Sequence, residues 1–381
     1  MTWTRVFNYR SVSAAEHPEC WIHAGRFAPE GAAPSGSDRV VDLDAGGHLM
    51  VPRLIDLRAQ WEPGASAACV VGGVGHVLSP STQPARFFYR GDACRNDSGL
   101  SVRPMLACDD GLDLPACFDH AAQAGRTLWT HLGHPDWISS GVMSEGAYAT
   151  RLGLPVVPAS AQSDAFGRIV EAATRAGARI HVSGVTTSQC VAQLRAAKQN
   201  GIDVSADVGV HYLHLADVDV GFFDTRFRFT PPLGTLADRS AVGAAVLDGT
   251  IDAVVSDHTP SSPATKADFF ARASSGAPGL GLTLSLMLSW AQRQHAPLAH
   301  AIRPLADGPA SVLARDGAMG LGGLSAGSPA DFCLVDPDAF WRPQDRLPAE
   351  QMRLSPFSDM FLSGEVVQTF HHGQRVSQGT P

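Results

Sequence analysis

The segment Ser188-Gln-Cys-Val-Ala-Gln-Leu-Arg-Ala-Ala-Lys198 is followed, two residues later, by Gly201-Ile-Asp-Val-Ser-Ala-Asp-Val208. The first run favours a helix, and the second is a β-forming run that begins at a glycine. The same alternation returns where Ile251-Asp-Ala-Val-Val-Ser-Asp-His258 precedes an apolar, helix-like run over residues 280–290. Strands that alternate with helices imply an α/β fold with a parallel sheet, and this many units predict a TIM-like (β/α) barrel.

Both ends of the chain are rich in β-forming residues. Examples are Arg39-Val-Val-Asp-Leu-Asp44, Asp331-Phe-Cys-Leu-Val-Asp-Pro337 and Gly364-Glu-Val-Val-Gln-Thr-Phe-His-His-Gly373. Each run is closed by Asp, Gly or Pro, which favour turns. The chain has 381 residues, and a barrel of this type needs about 250. We therefore predict a barrel over residues 51–320 and one small, discontinuous β domain formed by residues 1–50 and 321–381.

Composition excludes several classes of function. The formal net charge is −8 and 44% of the residues are hydrophobic, so the chain is neither a basic nucleic-acid binder nor a disordered polymer. No apolar run approaches the roughly 18 residues of a membrane span, and the first residues lack the apolar core of a signal peptide. The seven cysteines form no Cys-x-x-Cys pair, which argues against a disulfide framework or a zinc ribbon. We expect a cytoplasmic protein without nucleic-acid or membrane partners.

Polar clusters follow the predicted strands, which is where barrel enzymes carry their chemistry. They lie at residues 56–64, 108–111, 130–134, 180–187, 210–214 and 256–260. Taken in order, these clusters and the segments around them resemble the dihydroorotases of the cyclic amidohydrolase superfamily.

Motifs spread over most of the chain carry this resemblance. They are Val51-Pro-Arg-Leu-Ile-Asp-Leu57, similar to V-P-G-x-I-D-L; Gly141-Val-Met-Ser-Glu-Gly146 with Arg151-Leu-Gly-Leu-Pro155, similar to G-x-M-N-E-G and L-G-L-P; Phe223-Asp-Thr-Arg-Phe-Arg-Phe-Thr-Pro-Pro-Leu233, similar to F-D-T-N-x-K-x-N-P-P-L; and Ser355-Pro-Phe357 with Gly364-Glu-Val-Val367, similar to S-P-F and G-x-V. The resemblance implies a metal-bearing barrel and a small β domain built from both chain ends.

The metal-ligand positions that the resemblance implies are partly lost. Active members hydrolyse and close a cyclic amide with water activated by one or two zinc ions. Their first strand ends Asp-x-His-x-His, but here the frame reads Asp56-Leu-Arg58-Ala-Gln60. Arginine is a permanent cation that cannot bind zinc, and glutamine is a poor replacement for imidazole. A further family histidine falls on Gly184.

The bridging lysine of many family members has no match. The two lysines of the chain are Lys198, in a predicted helix, and Lys266, in a predicted loop. Some relatives have an aspartate at the position of the bridging lysine, and Asp109 or Asp110 could match it.

Between Pro80 and Asp109 the chain is shorter than is usual in the family, so we expect one strand–helix unit to be trimmed or remodelled.

Two ligand positions are kept, and both have two interpretations. His131 matches a family histidine, and Asp257 matches the carboxylate that binds metal and shuttles the proton. Either they belong to a satisfied hydrogen-bond network or they keep a residual metal contact. Arg58 inspires a further hypothesis, in which its fixed charge pairs with Asp257 and takes the place of a metal cation.

The other polar residues at the strand ends have ordinary structural interpretations. We expect His181, His211 and His258 to be packed or capping residues and Asp56 to bond to backbone. The substrate contacts implied by the family are also changed, because the arginine after the two histidines is missing. The family's other contact positions are occupied by Ser81, Thr230 and Ser261.

Three hypotheses of function follow. The first rests on a resemblance to inactive dihydroorotase homologues that have lost the metal site and serve as structural partners of aspartate carbamoyltransferase. It implies a non-catalytic dihydroorotase homologue of pyrimidine biosynthesis, without a cofactor, which assembles with and stabilises that transferase in a homo- or hetero-oligomer. The second is an active cyclic amidohydrolase with an atypical, mononuclear zinc site that uses His131, His134 or His181, and Asp257. The third and weakest is a regulatory module that binds a small anion beside Arg58.

Overall fold

The computed structural model describes residues 2–12, 19–62, 65–80, 86–89, 94–95, 101–107, 114–132, 141–318 and 320–376. The strands are β1 (Thr2–Phe7), β2 (Arg10–Ser11), β3 (Glu19–His23), β4 (Arg26–Phe27), β5 (Arg39–Asp44), β6 (Leu49–Pro52), β7 (Leu54–Asp56), β8 (Val74–Pro80), β9 (Arg86–Tyr89), β10 (Cys94–Arg95), β11 (Ser101–Ala107), β12 (Leu128–His131), β13 (Met143–Ser144), β14 (Val156–Val157), β15 (Ile180–Ser183), β16 (Val204–Gly209), β17 (Ala253–Val255), β18 (Phe332–Trp341), β19 (Leu362–His371) and β20 (Gln374–Val376).

The α-helices are α1 (Ala65–Val71), α2 (Leu114–Ala124), α3 (Ala147–Leu152), α4 (Ala161–Ala176), α5 (Ser188–Gln199), α6 (Leu236–Asp248), α7 (Pro263–Lys266), α8 (Thr283–Arg293), α9 (Leu298–Ile302), α10 (Asp307–Ala314), α11 (Pro343–Arg346) and α12 (Ala349–Met352). Short 3-10 helices cover Val210–Leu213, Asp217–Val220, Thr225–Phe227 and Arg303–Leu305. Among the described residues, no helix is long and apolar enough to cross a membrane.

The barrel sheet has the strand order β7, β8, β11, β9, β12, β15, β16, β17. The pairs β7/β8, β8/β11, β12/β15, β15/β16 and β16/β17 are parallel. A parallel bridge between Ala59 and His258 joins the two outer strands, and the Gln60 N–H donates to the His258 carbonyl at 2.8 Å. This bridge closes the sheet, so the predicted barrel is confirmed, and the carboxyl ends of β7 and β17 lie side by side.

One part of the barrel departs from a regular (β/α) repeat. Between Pro80 and Asp109 the described residues form β9, β10 and β11, with no helix among them. The inserted β9 runs antiparallel to both of its neighbours, β11 and β12. The unit that the sequence marks as short is therefore remodelled around an antiparallel strand.

The helices around the barrel follow from amphipathic patterns and clear end signals. In α4 the buried residues Ala165, Phe166, Ile169 and Ala173 recur at helical spacing. This helix ends at Gly177, whose φ of +65° is favourable for glycine alone. By contrast Lys266, expected in a loop, ends the short helix α7, because Ser262 caps that helix and Pro263 begins it.

The small β region uses both chain ends. A four-stranded sheet has the order β4-β3-β1-β5, and a five-stranded sheet has the order β2-β6-β18-β19-β20. In the second sheet β6, from the start of the chain, pairs antiparallel with β18, from its end. Side chains of this sheet, including Val51, Cys333 and Val366, belong to the same buried cluster as the barrel. The division at residues 50 and 321 stays a prediction.

Candidate functional site

The first barrel strand delivers Asp56, Arg58 and Gln60 to the carboxyl end of the barrel. Asp56 Oδ1 accepts the backbone N–H of Arg58 at 3.1 Å, and it also accepts the N–H of Ser256 from the end of β17 at 3.3 Å. The expectation that Asp56 bonds to backbone is confirmed. This carboxylate therefore ties β7 to β17 and fixes the backbone from which Arg58 projects.

The Arg58 guanidinium lies at the centre of the site. Its Nη1 donates to Asp257 Oδ1, and its Nη2 lies 3.6 Å from Asp207 Oδ1. The side chains of Arg58 and Asp257 are 14% and 10% exposed, and that of Asp207 is fully buried. The hypothesis that Arg58 pairs with Asp257 is confirmed.

Asp207 is a site residue that the sequence argument missed. It lies on β16, where all six residues are buried. Its Oδ2 accepts hydrogen bonds from His181 Nε2 at 3.0 Å and from Ser183 Oγ at 2.6 Å, and its Oδ1 accepts the Gly184 N–H at 3.2 Å. The signal was present, because Asp207 interrupts a buried strand and a buried carboxylate requires partners.

The three carboxyl groups differ in pKa because burial and the single guanidinium affect them unequally. Burial alone opposes ionisation of Asp207, but the Arg58 charge and the hydrogen bond from His181 hold its pKa at about 2. Burial raises the pKa of Asp257 to about 7 despite Arg58, and it raises the pKa of Asp56 to about 6. At neutral pH, Asp207 therefore carries the stable negative charge opposite Arg58, and Asp257 is close to its titration midpoint.

Two of the three histidines expected to be packed or capping, His181 and His211, pack on aromatic rings. The His181 ring packs on Trp129, with ring centroids 4.1 Å apart, and its Nδ1 lies 2.9 Å from Ser205 Oγ. His211 stacks on Phe229 at 4.0 Å, and burial beside Arg58 holds its pKa well below the usual value, so it is neutral.

His258 acts as a cap. Its Nδ1 accepts the backbone N–H groups of Gly279 and Leu280 at 3.2 and 3.3 Å.

The retained His131 lies beside the position where the family has another histidine. A Cβ at Gly184 would stand 3.1 Å from His131 Nε2, and the φ of Gly184 is +81°. A left-handed backbone of this kind suits glycine best, and any side chain here would also crowd the His131 ring. The local structure therefore favours glycine over the family histidine.

The substrate-contact positions that can be described are bound within the protein or buried. Thr230 Oγ1 accepts a hydrogen bond from Ser275 Oγ at 2.8 Å and one from Arg228 Nη1 at 3.3 Å. Ser261 Oγ is buried and has no hydrogen-bond partner among the described residues. Ser81, Asp109, Asp110 and His134 lie outside the described residues.

The described part of the barrel does not fit a catalytic zinc ion. The Arg58 cation is bound to Asp257, and Gly184 contributes no ligand. Lys198 is bound to Asp252 through its Nζ at 2.7 Å, and the Lys266 Nζ donates to the Thr225 carbonyl at 2.8 Å. Within the described ranges, three potential His, Cys, Asp or Glu ligands converge only outside the barrel, in the small β region.

Comparison with known proteins identifies the family. Residues 97–377 match the model of the amidohydrolase family, and the chain belongs to this family. Within it, the chain is similar to dihydroorotases over most of its length. The dihydroorotase of Syntrophotalea carbinolica is 30% identical over 378 residues, which cover 87% of this chain and 88% of that protein. The dihydroorotase of Desulforapulum autotrophicum is 32% identical over 260 residues, which cover 68% of this chain and 60% of that protein.

Solved structures agree with the fold. The L-hydantoinase (dihydropyrimidinase) from Arthrobacter aurescens superposes with a TM-score of 0.74 at 20% identity, covering 98% of this chain and 96% of the other. The dihydropyrimidinase from Brevibacillus agri has the same TM-score at 17% identity. The family resemblance drawn from the motifs is therefore confirmed at the level of the amidohydrolase fold and of dihydroorotase homologues.

Proposed function

We propose that this chain is a non-catalytic dihydroorotase homologue of pyrimidine biosynthesis that assembles with and stabilises aspartate carbamoyltransferase. The observation that carries the proposal is the Arg58 guanidinium bound to Asp257 and facing Asp207 at 3.6 Å. Asp257 matches the carboxylate that binds metal and moves the proton in active relatives. Here the Asp257 carboxyl group is bound to a permanent cation that neither binds zinc nor accepts a proton at neutral pH.

The surroundings of Arg58 support the same proposal. A zinc hydrolase needs several neutral imidazoles or carboxylates around one open position. At the described family positions, Gln60 and Gly184 replace two imidazoles, and a histidine at Gly184 would meet both a left-handed backbone and His131. These changes affect different strands, and the loss of both imidazoles supports a barrel without a metal-bound water.

The partnership rests on the resemblance to inactive homologues and on the preserved architecture. Nearly the whole chain superposes on intact amidohydrolase barrels although the centre of its own barrel has changed. A structural role in an assembly requires the fold but not the reaction chemistry. The proposed function therefore depends on the surface of the molecule and not on the interior of the barrel.

Catalysis is tested by assaying the purified full chain for dihydroorotate formation and hydrolysis, with the Syntrophotalea carbinolica dihydroorotase as the active control. We expect no turnover above background in zinc-supplemented buffer. Turnover that disappears in both His131→Asn and Asp257→Asn, together with zinc lost in the same two variants, would establish the mononuclear zinc enzyme and refute the proposal.

Partnership is tested with aspartate carbamoyltransferase from the same cell. Its activity and melting temperature are measured alone, with this chain and with an equal amount of the Syntrophotalea dihydroorotase. We expect the transferase to co-elute with this chain and to melt at a higher temperature in its presence. We expect neither effect with the Syntrophotalea dihydroorotase. A transferase that neither binds the chain nor changes in stability would contradict the assembly role.

A thermal-shift screen of pyrimidine intermediates tests the small-anion alternative. This alternative predicts that an intermediate stabilises the chain and that the stabilisation is lost in Arg58→Met.

A further inference from the structure

A cluster of two histidines and one aspartate lies outside the barrel, in the small β region. Asp331 directly precedes β18, His371 ends β19, and His372 begins the turn to β20. One potential ligand atom from each residue lies within 4.8 Å of the other two. Among the described residues this is the only group of three such side chains that converges so closely.

His371 and Asp331 are already oriented toward one another, and His372 lies beside them with its Nδ1 3.4 Å from the Gly25 carbonyl. His371 Nδ1 lies 2.9 Å from Asp331 Oδ1, and the same oxygen accepts the backbone N–H of His372 at 2.7 Å. The two imidazole rings have centroids 4.1 Å apart and are tilted by 48°. Because the ligand atoms lie within 4.8 Å of one another, side-chain rotations would bring them to one ion.

The backbone beneath the cluster is fixed by several contacts. His372 and Gly373 form a two-residue hairpin turn with φ of +49° and +74°. The Gly373 N–H donates to the Ala330 carbonyl at 2.8 Å, and the Ala330 N–H donates to the Gly25 carbonyl at 2.8 Å. The ligands therefore come from backbone segments that are cross-bonded to one another, and such preorganisation lowers the cost of binding an ion.

We propose that Asp331, His371 and His372 bind one divalent transition-metal ion, for which Zn²⁺ is the suitable probe. Two imidazoles and a carboxylate suit zinc and its neighbours in the first transition row, and water would complete the coordination. The side chains of His371 and Asp331 are 24% and 17% exposed, and His372 is exposed, so an ion can arrive from solvent. The site does not depend on the proposed function, because it lies outside the barrel.

Such an ion would connect the end of β19 to the residue before β18. Because an ion that binds the folded state alone stabilises it by mass action, the site would act as a structural staple of the β region. The hydrogen bond between His371 and Asp331 holds the geometry without the ion. An ion that binds at His371 Nδ1 would take the place of a proton on that nitrogen, which passes to solvent while the neutral ring carries its proton on Nε2.

The test uses the full chain, stripped with a chelator and titrated with zinc chloride by calorimetry. The variants are His371→Gln, which keeps a donor toward Asp331, and His372→Asn, which tolerates the left-handed backbone. The control is His120→Ala, on the exposed face of α2. We expect one ion per chain, an affinity lowered at least about tenfold in each variant, and a zinc-dependent rise in melting temperature that only the wild type and the control show.

Two results would overturn the proposal. One is the absence of saturable zinc binding by the wild type. The other is wild-type affinity in both cluster variants. If, in addition, the ion is lost in His131→Asn, the metal is in the barrel and the proposed non-catalytic function also fails. Loss of zinc in the cluster variants alone leaves that function unaffected.

Discussion

Arg58 brings a permanent positive charge into a barrel whose strand ends carry three buried carboxyl groups. A metal ion could also neutralise those groups, but an arginine does so with atoms that are part of the chain. The ion pair is mostly withdrawn from solvent, so removing one partner leaves the others buried and poorly compensated. The residue that replaces a family metal ligand is therefore expected to be a structural requirement of this chain.

We expect Arg58→Met to lower the free energy of unfolding by about 3 kcal/mol. Urea unfolding followed by circular dichroism measures it. The matched control is Arg175→Met, which breaks the exposed Arg175–Glu171 pair on α4 and should cost less than about 1 kcal/mol. Equal effects of the two substitutions would show that the buried pair contributes no more than a surface one.

Asp257 should make stability depend on pH. Its pKa is raised to about 7 in the folded state from the ordinary value of 3.8, so between these pH values the folded chain holds a proton that the unfolded chain has released. The free energy of unfolding therefore falls as pH rises through this window, by up to about 1.4 kcal/mol per pH unit from this group.

Unfolding measurements at pH 5 and pH 7 test whether the free energy of unfolding falls as the pH rises. Asp257→Asn should show a smaller loss of stability between the two pH values than the wild type, whereas the exposed substitution Asp119→Asn should not change the loss. A wild-type slope in Asp257→Asn would contradict the raised pKa.

At the scale of secondary-structure elements, the end of β15 shows how the backbone restricts the site. Gly184 follows this strand with a φ of +81°, and its missing side chain leaves room for His131. The backbone conformation and the close approach both disfavour any larger residue. Glycine at this position thus fits both the conformation of the backbone and the space beside His131.

Gly184→Ala should lower the free energy of unfolding by about 1–3 kcal/mol. The comparison is Gly167→Ala, because Gly167 lies on the exposed face of α4 with open space around it. There alanine is the better helix former and should stabilise by up to about 1 kcal/mol. Thermal or urea unfolding distinguishes the two signs, and a neutral Gly184→Ala would remove the argument for a restricted backbone.

The elements that could be predicted from sequence are those with strong local patterns. Helix α5 begins at Ser188 as expected, and β5 has the predicted bounds, because each has a clear period and end signals. The antiparallel direction of β9 depends on which strands flank it in space, and no local pattern encodes that. Arg58 and Asp257 could be paired through the family frame, but Asp207 becomes a site residue only through burial and contacts from β15.

At the scale of the whole molecule, the strands near the end of the chain are part of the main core. Val335, Trp341 and Leu362 from the last strands lie in the same buried cluster as the barrel helices. The chain should therefore lose its cooperative fold when the last strands are removed, even though the barrel strands themselves remain.

A chain that ends at residue 330 tests this expectation. We expect it to be largely insoluble or to lack a cooperative thermal transition, because the apolar surface covered by β18 and β19 becomes exposed. A chain that ends at residue 376 is the control and should melt like the wild type. A cooperative, wild-type-like transition in the shorter chain would show that the barrel folds independently of the last strands.

The contact between Arg58 and Asp257 spans 199 positions of the chain. During synthesis at roughly 5–20 residues per second, about 10–40 seconds pass between the appearance of the two residues. Until β17 has been synthesised, the edge of β7 that lies beside it in the folded barrel has no partner strand, and an unpaired edge is a template for association with other chains. The two charged residues that close this barrel are synthesised far apart in time, so the nascent chain needs protection on the ribosome. Chaperone supply should therefore limit the yield of the protein in the cell more than the stability of the folded chain does.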